Sequence, residues 1–152
     1  MTKAPLKEYL KGLPGHKILR QVARLNLISG DSNTAFKLPS NVKKLEVLIM
    51  NKAVNRRMVG LNQFWKWNLP TLRFHNDNVD FVVTRIKPEV KEEYPRVPCA
   101  IFIHKKAGDV TRIECNDRSA SWIVKSIVNA TGAQVVPKEE IPHIPLPKVR
   151  LQ

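Results

Sequence analysis

The run VKKLEVLIMN, residues 42–51, constrains this chain more than any other feature. From Leu45 to Met50 it is apolar except for Glu46, and it is rich in β-branched and long aliphatic side chains. It reads as a strand, and a strand apolar on both faces is expected at the centre of a sheet covered on both sides. Neighbouring segments must then supply the strands and helices that bury it. Residues 59–74 place Leu61, Phe64, Trp65, Leu69 and Leu72 at helical spacing, and Pro70 inside that pattern predicts a kink. VDFVVTRI, 79–86, is a second apolar strand. CAIFIHKK, 99–106, and DVTRIECN, 109–116, flank Ala107-Gly108 and read as a hairpin. SASWIVKSIVNATG, 119–132, is a helix with Trp122, Ile123, Ile127 and Val128 on its apolar side and Gly132 as its terminator.

The remaining segments frame this centre. Pro5, Gly12, Pro14 and Gly15 make residues 1–15 an irregular arm. Residues 16–28 follow helical spacing, with Ile18, Val22 and Leu25 sharing one side and Lys17, Arg20 and Arg24 mostly on another. GDSN, 30–33, is a break, 51–57 a polar basic loop, and 87–98 an acidic, proline-marked connection. Beyond Val135, Pro137, Pro142, Pro145 and Pro147 predict an extended tail. A chain of 152 residues accommodates one domain with appendages. The expected division is a basic arm with a short helix at 1–33, a domain at 34–133 and a proline-rich tail at 134–152.

The element order is β-α-β, then β-β-α. The first unit has a crossover helix, so its strands should run parallel, and the second is a hairpin followed by a helix. Four mixed strands with helices on the faces make an α/β sandwich of thioredoxin-like type. Val97-Pro98 before the third strand fits that type, which tends to hold a cis proline there.

Charge points to the partner. The net charge is +13, from 26 Lys and Arg against 13 acids. Residues 1–75 carry 14 of those cations and 3 acids, a net of +11, whereas 76–152 carry 12 and 10. A basic surface confined to one half is the footprint of a phosphate-rich partner. No apolar run approaches the ~20 residues of a membrane span. The basic N-terminus suits mitochondrial import or an arm laid on RNA, and the two readings are compatible.

Catalytic signatures are missing. A thioredoxin-like redox protein needs its thiol just after the first strand, at the helix start, where the helix dipole stabilises a thiolate. That position reads MNKAVNRRMVG, without cysteine. Cys99 and Cys115 fall at the beginning and end of later strands and are expected to be buried apolar residues. His16, His75, His104 and His143 form no metal-ligand spacing, so neither a metal nor a cofactor is expected. No phosphate loop and no nucleophile elbow occurs, so neither is a small-molecule substrate.

The runs FKLPSNVKKLEVLIMN, MVGLNQFWKWNLPTLRFHNDN and VDFVVTRI resemble the thioredoxin-like family of mitochondrial ribosomal proteins. That family includes members of both mitochondrial subunits and an accessory subunit of respiratory complex I. The resemblance covers roughly 34–132, and its most specific element is the helix carrying Asn68-Leu69-Pro70 with the later His75-Asn76. The GLNQFW approach and this ending look closest to the fungal large-subunit member. Asp77 stands where the family commonly has a proline. The resemblance implies a structural constituent of the mitochondrial ribosome, without catalysis, bound to ribosomal RNA and neighbouring ribosomal proteins in the matrix. A small-subunit protein, a complex I subunit and an oxidoreductase are the alternatives.

Under that reading the RNA-binding residues are Lys17, Arg20 and Arg24 of the arm helix, Lys52, Arg56 and Arg57 of the loop, and Lys66 and Arg73 of the central helix. The loop follows the C-terminal end of the first strand, where open α/β sheets place ligands. Arg56 and Arg57 together are expected to serve incorporation and not folding. Phe64 and Trp65 should face the sheet, and Trp67, off the main stripe, is expected either to pack beneath the kink, the preferred reading, or to stack on a partner.

Overall fold

A computed structural model of the chain describes residues 15–51 and 56–145. The expected arm upstream of Gly15, loop residue Lys52 and the tail beyond Pro145 lie outside the described residues. Helix α1 spans His16–Ser29, strand β1 Phe36–Lys37, and β2 Val42–Met50. A 3-10 turn at Arg56–Met58 leads into α2, Val59–Gln63, and a π-helical segment, Phe64–Asn68, joins it to α3, Leu69–His75. Strand β3 is Asp80–Ile86, β4 Ala100–Lys105 and β5 Val110–Glu114. Helix α4 is Ala120–Thr131, and β6, Gln134–Val135, follows it.

The main sheet has the order β3-β2-β4-β5. Strand β3 runs parallel to β2, while β4 runs antiparallel to both β2 and β5. The crossover logic of the sequence is thus realised as a mixed α/β sheet. Leu45, Val47 and Ile49 of β2 and Ile101 and Ile103 of β4 are buried with Leu61, Phe64 and Leu72 on one side of the chain and Ile123 and Ile127 of α4. Each such side chain contributes about 1.5–3 kcal/mol when withdrawn from water. Gly60 makes the close approach possible: a Cβ there would overlap the Arg118 carbonyl just before α4.

Only one face is covered in this way. The alternate residues of β2, Lys44, Glu46 and Leu48, align with Val82 and Thr84 of β3 and with His104 and Phe102 of β4. These are half-buried or exposed, and Glu46 lies 3.9 Å from Lys44 Nζ and 3.5 Å from His104 Nε2. The expectation of a sheet covered on both sides is therefore corrected. The connection from β3 to β4 forms a 3-10 turn, Lys91–Arg96, and contributes no long helix to the second face. The Val97–Pro98 bond is trans, as are all peptide bonds among the described residues.

Pro70 does not break the central helix. It sits two residues past the end of the π segment, directly after Leu69, whose N–H donates to the Phe64 carbonyl across a five-residue turn. The wide turn absorbs the missing donor and the steric clash that proline brings to an α-helix. It also inserts one residue into the apolar stripe. Phe64 and Leu69 are both buried, although five positions apart, and Leu72 follows in register.

Downstream of the turn, α3 fastens the N-terminal elements. Thr71 Oγ1 donates to the Leu27 carbonyl at 3.2 Å, and His75 Nε2 lies 2.7 Å from the Ser29 carbonyl. A carbonyl only accepts, so Nε2 carries the hydrogen. Asn76 is buried and fully bonded: Oδ1 accepts from Leu38 N–H at 2.7 Å, and Nδ2 donates to the Phe36 and Leu72 carbonyls at 2.9 and 2.7 Å. This holds β1, which pairs antiparallel with β6 through Phe36–Val135 and Lys37–Gln134. The segment beyond β6 crosses back to α1, where the Asn26 amide and the Ile144 backbone exchange two hydrogen bonds of 2.9 Å. The tail as far as Pro145 therefore rests on the chain's own surface.

Helix α1 meets the body through a face rotated from the expected one. Leu19, Val22, Asn26 and Ser29 are sheltered, while Ile18 and Leu25 stand exposed. Replacing Asn76 by Ala strands the Leu38 N–H and two carbonyls in a buried site, and each unsatisfied group costs about 1–3 kcal/mol. Urea unfolding should show Asn76→Ala at least about 2 kcal/mol less stable than the parent. A loss within measurement error would contradict its role as the fastening of β1.

Candidate nucleic-acid interface

The predicted cations fall into three groups. Lys17, Arg20 and Arg24 are exposed on one stripe of α1, at spacings of three and four residues. Lys66 and Arg73 are exposed two turns apart on the π segment and α3. Arg56 and Arg57 open the 3-10 turn. Among the described residues the ion pairs join Lys44 and His104 to Glu46 and Arg112 to Glu114, all on the sheet. The exposed helical cations are thus available to a partner.

Arg57 is different, because its guanidinium is engaged within the fold. Its Nη1 donates to Asn116 Oδ1 at 2.8 Å, and its Nη2 donates to the Tyr94 and Val97 carbonyls at 2.7 and 2.9 Å. Its own carbonyl accepts from Asp117 N–H at 2.9 Å. The guanidinium thus ties the acidic 87–98 connection and the end of β5 to the start of α2. Arg56, one position earlier, is exposed. The connection brings Glu92 and Glu93 to this end of the sheet, which makes the loop end less purely cationic than its own sequence suggests.

Lys66 and Arg73 also sit in specific surroundings. Lys66 Nζ lies 5.8 Å from the centre of the Trp65 ring, and Arg85 Cζ lies 5.7 Å from it. Trp65 is half-buried and donates from Nε1 to Asn62 Oδ1 at 3.0 Å. Arg85 is a basic residue that sequence reasoning passed over, its one signal being an interruption of the apolar strand VDFVVTRI. Arg73 borders an open cleft with Lys44, Asn76, Asp77 and Asp80, so acids share its neighbourhood. Trp67 is 64% exposed, which corrects the preferred reading that it packs beneath a kink.

The two thiols sit just before β4 and just after β5, with Cys99 beside Arg57. Cys99 and Cys115 are free and fully buried, and Cys99 Sγ approaches the Arg57 carbonyl at 4.0 Å. Burial pushes the Cys99 thiol up to about 11, against a smaller opposing pull from Arg57. Burial, with help from Cys99 and Glu114, pushes Cys115 up to about 12. Neither is poised as a thiolate nucleophile at neutral pH. Among the described residues no group of His, Cys, Asp and Glu could hold a metal ion, and no helix is long and apolar enough to cross a membrane.

The chain thus presents a mixed sheet backed by helices, with a cationic helical surface and two buried, protonated thiols. The mitochondrial ribosomal protein L51 / S25 / CI-B8 domain matches residues 61–120, from α2 through β5 to the start of α4. Large ribosomal subunit protein mL61 of Saccharomyces cerevisiae is 31% identical over 135 residues, covering 87% of this chain and 89% of that protein. The chain belongs to the mitochondrial ribosomal L51/S25/CI-B8 family.

Two outcomes test the assignments at the loop end. Arg57→Gln removes three charge-assisted contacts and should lower stability by about 2 kcal/mol or more, whereas Arg56→Gln should leave it within about 0.5 kcal/mol. Equal melting temperatures for the two variants would overturn the division. The folded protein should resist a disulfide reagent at pH 8 and react at both thiols only in denaturant. The unfolded chain releases these protons near the ordinary value of 9.0, and the fold retains them to about 11 and 12. Stability therefore falls as pH rises above about 9, because the unfolded state then binds fewer protons. Rapid labelling of native protein at pH 8 would contradict the burial of the thiols.

Proposed function

We propose that this chain is a structural constituent of the mitochondrial ribosome, in its large subunit, with no catalysis of its own. The observation that carries the reading is the kinship with the yeast large-subunit protein over nearly the full length of both chains. The cationic helices supply the physical means. Lys17, Arg20, Arg24, Arg56, Lys66 and Arg73 would meet phosphates, with Lys52 extending the set beyond the described residues, and Arg57 acts through the fold that presents them. Phosphate contacts position a protein without reading sequence, which suits a building block of a particle. The strand order and the β-α-β then β-β-α succession support a thioredoxin-like fold whose redox site has become a framework joint. The mitochondrial matrix is where such a particle resides. Neighbouring ribosomal proteins would complete the set of partners, and the open sheet face offers them a surface of mixed charge.

Sedimentation of tagged protein from lysed mitochondria through a sucrose gradient tests this reading. The protein should migrate with the large subunit and leave that position after RNase treatment. A Lys17→Glu/Arg20→Glu/Arg24→Glu variant should keep its melting temperature and shift toward the top of the gradient. Migration with the small subunit, with respiratory membranes or at the top for the parent protein would overturn the large-subunit assignment.

A further inference from the structure

The side chain least explained by the fold is Trp67. At 64% exposed it exceeds every other large apolar side chain among the described residues, with Leu27 next at 62%. The two border one cleft of about 230 Å³ between α1 and the π segment, with Gly30, Asn68 and Thr71 also lining it. The placement follows from the wide turn. Phe64 and Leu69 both face the core, so the residues between them bow outward, and Trp67 lies on that arc. Helical insertions of this kind frequently mark functional sites. An indole left in water on a rigid helix forgoes the apolar contacts that burial would supply.

The charges lead to the same place. Lys17, Arg20, Arg24 and Leu27 lie at successive steps of three, four and three residues, forming one stripe ~15 Å long that ends at the cleft. One acid, Asp31, lines the cleft; its carboxylate keeps its charge while accepting from Asn33 N–H at 2.9 Å and Thr34 Oγ1 at 3.2 Å, but it is exposed and screened by water and salt, and the three cations of the stripe outnumber it. Cations tracking toward an exposed aromatic face are the arrangement by which proteins hold single-stranded nucleic acid. Ile18 and Leu25 are exposed on another side of α1, but the stripe that leads into the cleft is cationic, which favours a polyanion there over an apolar protein neighbour.

We propose that the Trp67 cleft takes one unpaired base of RNA, stacked on the indole, while the adjoining phosphates run along Arg24, Arg20 and Lys17. This rests on the RNA-binding reading above and adds to it a contact specific for unpaired RNA. Asn68 and Thr71 at the wall would tolerate several bases, because stacking uses the π-face every base has.

Full-length protein titrated with a short single-stranded oligoribonucleotide and with a fully paired RNA of the same length provides the test. Loss of one stacked base should weaken single-strand binding by Trp67→Ala about 5- to 150-fold, with paired RNA unaffected and the salt dependence unchanged. Trp67→Phe should recover part of the loss. Arg20→Ala/Arg24→Ala should weaken both RNAs and flatten the single-strand salt slope by about 1.4. Equal single-strand affinities for parent and Trp67→Ala would overturn the stacking site while leaving backbone binding intact. No RNA binding by the parent protein would overturn both readings. Normal RNA affinity with failed incorporation of Trp67→Ala into the particle would assign the cleft to a protein neighbour and equally end the proposal.

Discussion

The bond from Leu69 N–H to the Phe64 carbonyl is the pivot of this structure. It closes a turn one residue wider than an α-helical turn, immediately before a proline that an ordinary helix would resist. Three consequences follow from that extra residue. Leu69 and Leu72 return to the face of the sheet. Thr71, His75 and Asn76 arrive where they can hold the carbonyls ending α1 and the backbone of β1. Trp67 is carried outward beside Leu27. The segment Asn68-Leu69-Pro70 with His75-Asn76, distinctive in sequence, is thus a joint that positions the N-terminal cationic helix.

The sheet has two unequal faces and two unequal ends. Its covered face is apolar and shared by the central helix and α4, whereas its open face is a lattice of Lys44, Glu46, His104 and Arg112 among apolar neighbours. At the end where a thioredoxin-like enzyme would hold its thiol, Arg57 clamps the acidic connection instead. The buried Cys99 behind it is held protonated by desolvation. The exposed cations gather elsewhere, on α1, the π segment and α3.

Much of the framework was legible in the sequence because it depends on periodicity. The strands at 42–51, 79–86, 99–106 and 109–116 and the helix at 119–132 appear within one or two residues of their expected bounds. Ser119 caps that helix by accepting from Trp122 N–H, and Gly132 ends it at φ +73°. What escaped was set by contacts between distant residues. Arg56 and Arg57 are indistinguishable as sequence, and only the approach of Tyr94, Val97 and Asn116 separates a surface charge from a clamp. Within the run Leu45 to Met50 the open face was signalled by Glu46 alone, outweighed by its apolar neighbours. The five-residue step from Phe64 to Leu69 was present, but a three-four pattern absorbs it without revealing a wide turn. The two-residue pairing of β1 with β6 lies below what alternation can show.

The most direct test of the central claim, that the α1 and central-helix surface is turned toward RNA, is ultraviolet crosslinking of purified mitochondrial large subunits. Crosslinked peptides of this chain would then be mapped by mass spectrometry. The account predicts RNA adducts within residues 15–30 and 64–75 and none in the acidic connection at 87–98. Adducts concentrated in that connection or on the open sheet face, with both helical segments unmodified, would contradict it.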